Sequence, residues 1–517
     1  MFFDKYLKSP KQPARAEEKV SSAAKRRKIN GNIRQTVQHI LQSTGDPGDL
    51  VVHGIGDSNS LTAAVVYLET LIDGYMLGRQ VIEPINKFVR GKTGALGPGQ
   101  LKLLVSASQY MEIDDLHTAI EKLLCGYALI LLGGVETILA VPVPHYAKRA
   151  IEEAPTEKLV KGPREGFNES LNDNISLIRR SVKDPNLRLE KITVGERTKT
   201  EIAVMYLHGV ADSSVVQEVH KRLKQIKIDG IVESGYIAEL ISDKRLTPFP
   251  LVQETERPDR VIAAILEGRV AVLVDRSSFN IIVPVTSNEF YQTSEDFYFN
   301  WFTGTALRLI RAVGTIIAVT LPGFYLSMIT INPELLPPSF VQLEASSRTQ
   351  VPFPAILEIV IAFFAFEILR EASVRFPTNI NLILGVGGGI VMGLAAVNAG
   401  IVSGITVAIV VFCVLSTFTT SNPAKEQAWR WIRYILLAAG SIFGFIGVIA
   451  AGVIILAHMA GLNSFGVSYL APWGPPVMTD MADAPVRLPW WLSYRRPPTY
   501  RARQEDRLGK NEGEDEA

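Results

Sequence analysis

Residues 308–331 read RLIRAVGTIIAVTLPGFYLSMITI, and residues 435–460 read ILLAAGSIFGFIGVIAAGVIILAHMA. A helix rises about 1.5 Å per residue, so roughly 20 apolar residues cross a bilayer's hydrocarbon core. The runs 312–331 and 435–456 contain no charged residue, and neither does the stretch 382–420 between them. Nothing before Arg308 resembles this block. Residues 301–460 therefore read as a polytopic helical membrane domain, and the first three hundred residues as a soluble one.

Charge is 20% over 517 residues, with a formal net charge of +1, which argues against a polyanion binder such as a nucleic-acid protein. The two cysteines, Cys125 and Cys413, lie in dissimilar surroundings and do not suggest a structural disulfide. Residues 1–10 lack the apolar core of a secretory signal, so the first three hundred residues are expected on the cytoplasmic side.

Within them, 1–35 reads as a disordered basic tail carrying Lys25-Arg26-Arg27-Lys28. A first α/β subdomain is expected over 36–155. Strands are placed at 49–55 and 62–68, a helix from Asp73 to Phe88, and a strand or short helix at 103–107. A helix at 113–124 and a hairpin across Gly133-Gly134 follow. A second α/β subdomain is expected over 156–300. Its helices are placed at 175–181, 213–224 (N-capped by Asp212) and 232–240. Its strands are placed at 188–193 and 199–207, with a hairpin around 276–280. Val66-Tyr67-Leu68…Asp73 echoes Met205-Tyr206-Leu207…Asp212, which points to two copies of one strand–turn–helix unit. The fold class is thus an α+β cytoplasmic domain of two α/β subdomains, followed by the membrane domain.

No catalytic or metal site emerges. The seven histidines have no paired ligand spacing, and no nucleophile elbow or P-loop is present. Neither a cofactor nor an enzyme activity is expected.

In the membrane block, 355–371 is the least membrane-like segment, because it carries Glu358, Glu367, Arg370 and Glu371. A mid-bilayer carboxylate costs several kcal/mol unless it faces water or a partner. The segment is read as a short re-entrant or interfacial helix beside about four spans. Glu358, Glu367 and Glu371 are candidate pore residues for a cation path, with Asn398 as a lone polar group nearby. Pairing of Glu371 with Arg370 or Arg375 inside one subunit is the structural alternative. Gly385, Gly389 and Gly393 repeat every four residues, a ridge for close helix packing. The tail 461–517 is expected on the cytoplasmic side.

One ordered set of motifs carries a resemblance. Pro248-Phe249-Pro250 leads into Gln253-Glu254-Thr255-Glu256-Arg257-Pro258-Asp259, then Leu266-Glu267-Gly268-Arg269-Val270, Ile282-Val283-Pro284-Val285 and Ser294-Glu295-Asp296-Phe297-Tyr298. Pro352-Phe353-Pro354, Phe366-Glu367-Ile368-Leu369-Arg370-Glu371-Ala372 and Tyr469-Leu470-Ala471-Pro472 follow. Together they resemble the A subunit of the nutrient germinant receptors of endospore-forming bacteria, the GerA family. The resemblance implies a multi-pass protein of the spore inner membrane, with a transporter-like B subunit and a lipoprotein C subunit as partners. It also implies a homo-oligomer, a pentamer, that conducts ions when gated. Glu256, Arg257 and Asp259, with Arg370 and Arg375, are then candidates for assembly or coupling. A related role beside the dipicolinate-release channel, or a non-conducting scaffold, are the alternatives.

Overall fold

The computed structural model describes residues 28–57, 60–91, 98–105, 110–144, 153–375, 388–419, 422–481 and 483–507. Most of the basic tail and Gly385 lie outside them. The chain divides into two units, 1–146 and 147–517.

The first unit is a five-stranded antiparallel sheet with helices on both faces. Its elements are α1 (Ile33–Thr44), β1 (Leu50–Asp57), β2 (Ser60–Leu68), α2 (Gly74–Leu77), α3 (Glu83–Gly91), α4 (Pro98–Leu104), β3 (Met111–Ile113), α5 (Leu116–Leu124), β4 (Tyr127–Leu132) and β5 (Ile138–Pro142). The sheet order is β1-β2-β4-β5-β3. The central strands are apolar without alternation because both their faces are covered. Ala64, Val66 and Leu129 pack under α1 and α5. Ala63, Val65 and Ile130 pack under the helical run that includes Leu77, Val81 and Ile85. Two expectations change here. Lys28 bridges to Asp115 and α1 starts at Ile33, inside the stretch read as tail. Residues 98–104 form α4, so of the two readings of 103–107 the helix is found for its described part. Residues 111–113 form an edge strand, and the helix after it starts at Leu116, capped by Asp115.

The second unit opens with a sheet of identical order. It comprises α6 (Leu171–Ser181), β6 (Leu187–Val194), β7 (Thr200–Leu207), α7 (Ser213–Gln225), α8 (Ser234–Ile241), β8 (Gln253–Thr255), α9 (Pro258–Leu266), β9 (Val270–Val274) and β10 (Asn280–Val283). The order is β6-β7-β9-β10-β8. In chain order both sheets run first, second, fourth, fifth, third. The echo noted above sits at matching places: Tyr67-Leu68 closes β2 and Asp73 caps α2, while Tyr206-Leu207 closes β7 and Asp212 caps α7. The connector at 153–165 belongs to this unit, so the boundary falls before residue 155. Thr156 donates through N (3.1 Å) and Oγ1 (2.7 Å) to Glu256 Oε2.

After a short helix α10 (Glu295–Tyr298) comes the helical bundle. It consists of α11 (Trp301–Thr330), α12 (Pro338–Ser347), α13 (Ala355–Arg375), α14 (Gly388–Asn398), α15 (Gly404–Thr417) and α16 (Pro423–Ala460). Among the described residues, α11 and α16 are long and apolar enough to cross a membrane.

However, α16 is not straight. Gly444 has φ +65° and ψ −152°, a conformation that an L side chain resists, and the chain doubles back there. A Cβ added at Gly440 would lie 2.9 Å from Val448 Cγ2, a contact a straight helix never makes across eight residues. Ala428, Ile432 and Leu436 of the first limb share one core with Val448 and Met459 of the second. Both ends of this hairpin meet the sheet domain. Lys425 Nζ donates to Ser287 O at 2.6 Å, and His458 Nε2 lies 3.1 Å from Thr247 Oγ1. Its tip meets the end of α11, where Asn332 Oδ1 accepts from Phe445 N at 3.0 Å.

The other helices run between the same two levels. α13 starts beside Ser403, whose N donates to Glu358 at 2.5 Å, and its later turns reach Glu426, 2.9 Å from Arg370. At 21 residues it is about 32 Å long. It is thus longer than the short re-entrant or interfacial helix expected at 355–371. The described helices α11, α13, α14 and α15 and the two limbs of α16 together form the bundle. The segment after Ala460 returns to the sheet domain, where Arg503 N donates to Val210 O at 2.9 Å and Ser464 Oγ donates to Leu251 O at 2.7 Å. Lys425, Arg430 and Arg433 thus lie toward the sheet-domain end, in keeping with a bias of positive charge to one side.

Candidate functional site

Three polar clusters sit in or beneath the bundle. The first joins it to the sheet domain. Asp296 is fully buried. It accepts from Arg308 Nε at 3.2 Å and from Arg311 Nη2 at 2.5 Å. Arg308 and Arg311 are three apart on α11, so the helix presents both to one carboxylate. Arg308 also donates to Asp483 O at 2.6 Å, which ties in the C-terminal segment. Desolvation raises the Asp483 carboxyl above the usual range, against the pull of Arg308. The sequence signal was the Arg308/Arg311 spacing beside the Ser294–Tyr298 motif, but the partner lay across a loop.

The second cluster is a layer inside the bundle near that junction. Glu367 lies 2.9 Å from Arg370, 3.3 Å from Arg430 and 3.5 Å from Arg433. Glu426 joins Arg370 (2.9 Å) and Arg430 (3.2 Å). Two carboxylates meet three guanidiniums, so the layer carries a net positive charge. The third cluster lies toward the far end. Glu358 is fully buried and accepts from Ser403 N, with Arg348 Nε at 3.3 Å. Glu344 accepts from Tyr325 at 2.8 Å, and Tyr325 lies 3.3 Å from Thr406 Oγ1.

Of the four carboxylates and amides read as pore candidates, Glu358 is locked inside the bundle and Glu367 is matched by arginines. Glu371 is 71% exposed and, among the described residues, pairs with Arg375 at 2.6 Å. Asn398 is exposed near the end of α14. Gly389 faces Leu369 of α13, and Gly393 faces Val407 of α15, so two members of the glycine ridge do face neighbouring helices.

Glu256, Arg257 and Asp259, candidates for assembly or coupling, make their contacts here within the chain, and Glu256 and Arg257 are buried. Arg257 grips Asp259 through two bonds of 3.0 and 2.8 Å and donates to Pro163 O at 3.0 Å. Tyr298 donates to Asp259 at 2.6 Å. Burial, then that carboxylate, pushes the Tyr298 hydroxyl pKa up. These residues bind the connector and α10 to the sheet domain. Arg269, equally buried, donates to Pro284 O (2.8 Å) and Gln253 (2.9 Å), and so fixes β8 against the cis Val283–Pro284 turn.

The family model for the Bacillus/Clostridium GerA spore germination protein matches residues 38–499. The chain belongs to the GerA family. Among its relatives, spore germination protein KA of Bacillus subtilis (strain 168) is 35% identical over 94% of this chain and 89% of its own. The uncharacterized membrane protein YfkQ of the same organism is 34% identical over 92% of each chain. The crystal structure of the N-terminal domain of the A subunit of the Bacillus megaterium spore germinant receptor GerK3 is similar over 50% of this chain and 97% of its own. Its sequence identity is 32% and its TM-score 0.39. For this GerA-family chain, the motif residues quoted above now have places. Phe249, Asp296 and Tyr469 among them sit where the sheet domain meets the bundle.

Proposed function

We propose that this protein is the membrane subunit of a spore nutrient-germinant receptor. It works in the spore inner membrane with a transporter-like B subunit and a lipoprotein C subunit, and it assembles as a homo-oligomer that passes cations when gated. It acts as a gate and not as an enzyme. The observation that carries this reading is the junction: Asp296, Arg308, Arg311 and Asp483 couple the sheet domain, the first long helix and the C-terminal segment in one buried network. Movement of the sheet domain is thereby transmitted to α11. For the conducting path, the outward-facing Glu371 and Asn398 are the remaining candidates, because Glu358 and Glu367 are engaged within one subunit.

One observation favours a second reading, a non-conducting scaffold. The bundle's polar layer is arginine-rich, whereas cation paths concentrate cations with free carboxylates. The test is potassium flux from liposomes holding this protein with its B and C partners. A gated flux that Glu371→Gln reduces supports the channel. Intact assembly without flux supports the scaffold. A chain whose loss slows dipicolinate release while nutrient responses stay normal would belong beside the dipicolinate channel instead.

A further inference from the structure

The C-terminal segment returns from the bundle to the sheet domain, and part of it carries side chains a soluble strap would not need. Trp490, Trp491, Leu492 and Tyr494 follow one another along its surface, and Trp490 and Trp491 are 52% and 71% exposed. The start of α11 presents Trp301 and Phe302, the latter 71% exposed. The two groups are neighbours. Trp490 packs on Phe297 with ring centroids 5.8 Å apart, and the Arg487 guanidinium lies over both rings. Arg487 N donates to Thr305 Oγ1 at 3.1 Å, which fixes the segment against the first turns of α11.

Further along α11 the exposed side chains become wholly aliphatic: Leu309, Ile310, Val313 and Ile316. The step from Phe302 to Leu309 is seven residues, about 10 Å along the axis. The aromatic group therefore stands where a helix entering a bilayer passes from headgroups to hydrocarbon. Tryptophan and tyrosine prefer that layer, since their rings are apolar at one end and hydrogen-bonding at the other. Left in water, so many exposed aromatic and aliphatic side chains on adjacent segments would form a patch that promotes association.

We infer that residues 490–494 of the C-terminal segment dip into the phospholipid interface beside the start of α11, so that the strap reads the membrane surface as well as the sheet domain. Arg487 and Arg308 connect this collar to Asp296, so the position of the lipid interface bears on the junction network. The inference rests on the reading that α11 spans a bilayer.

The test places a nitroxide on Trp491→Cys in a Cys125→Ser background and reconstitutes the full chain in phosphatidylcholine vesicles. Collision with lipid-soluble oxygen is compared with collision with a water-soluble nickel chelate. The expected result is an oxygen-to-nickel ratio several-fold above that of a label at Arg197, which is exposed on the sheet domain. Leu492→Cys should agree. Flotation with the vesicles is scored separately. If the protein floats but label 491 matches label 197, the collar is overturned while the membrane reading stands. A label shielded from both probes also overturns it, since protein then covers the patch. If the chain does not float, the membrane reading itself fails, and the inference fails with it.

Discussion

Replacing Asp296 by Asn keeps the side chain's shape and removes the one charge that holds two guanidiniums under the bundle. Asp296 is fully buried, and it accepts from Arg308 and Arg311 and also from Thr293 N and Oγ1, both at 3.1 Å. The substitution leaves Arg308 with Asp483 at 3.4 Å, and Arg311 with the Tyr291 carbonyl at 2.9 Å. Breaking a buried ion pair from one side typically costs about 3–5 kcal/mol, because the surviving charge stays out of water uncompensated. Denaturant titration of the purified protein in micelles, followed by tryptophan fluorescence, should show a loss of that size for the first transition. Glu371→Gln, which breaks an exposed pair, should leave the same transition unmoved. Asp296→Asn combined with Arg308→Met and Arg311→Met should recover much of the loss, because the buried charges are then gone together. If Asp296→Asn behaves like Glu371→Gln, the junction network is not what joins bundle to domain.

Two further outcomes follow from packing and charge. A Cβ at Gly440 would lie 2.6 Å from Gly323 O on α11, so Gly440→Val should cost about 1–3 kcal/mol in the same titration, and Gly452→Val, where that space is open, far less. Desolvation pushes the Glu267 carboxyl up to about 7, although Arg507 2.6 Å away pulls it down. The folded protein therefore binds a proton there that the unfolded chain releases above about 4.5. That contribution is complete below this value and is lost as pH rises to about 7. Melting in micelles from pH 5 to 8 should show a decline in stability that Glu267→Gln flattens.

Much of the sheet domains was legible because their strands are long apolar runs and their helices begin at good caps. Asp212 and the Gly133-Gly134 turn are examples where local chemistry and the fold agree. The edge strands β3 and β8 were not legible, since three residues carry too little pattern to stand out. The hairpin in α16 was hidden for a different reason. Its turn is a single glycine inside an uncharged apolar run, and it shows only once the Gly444 dihedrals and the packing of one limb on the other are seen. That one turn explains how both ends of α16 reach the sheet domain and where Lys425, Arg430 and Arg433 lie. The charges of 355–371 argued against a plain span because their partners Arg430 and Arg433 lie some sixty residues away. Buried ion pairs of that kind follow from topology, not from spacing.

The reversal at Gly444 is tested most directly by thiol accessibility in sealed membrane vesicles of one orientation, with Cys125 replaced by Ser and Cys413 by Ala. Single cysteines at Arg197, Phe443 and Glu505 would be exposed in turn to a membrane-impermeant reagent. A reversal at Gly444 predicts that positions 197 and 505 label from the same side and position 443 from the other. Labelling of 505 from the side opposite to 197 would contradict it.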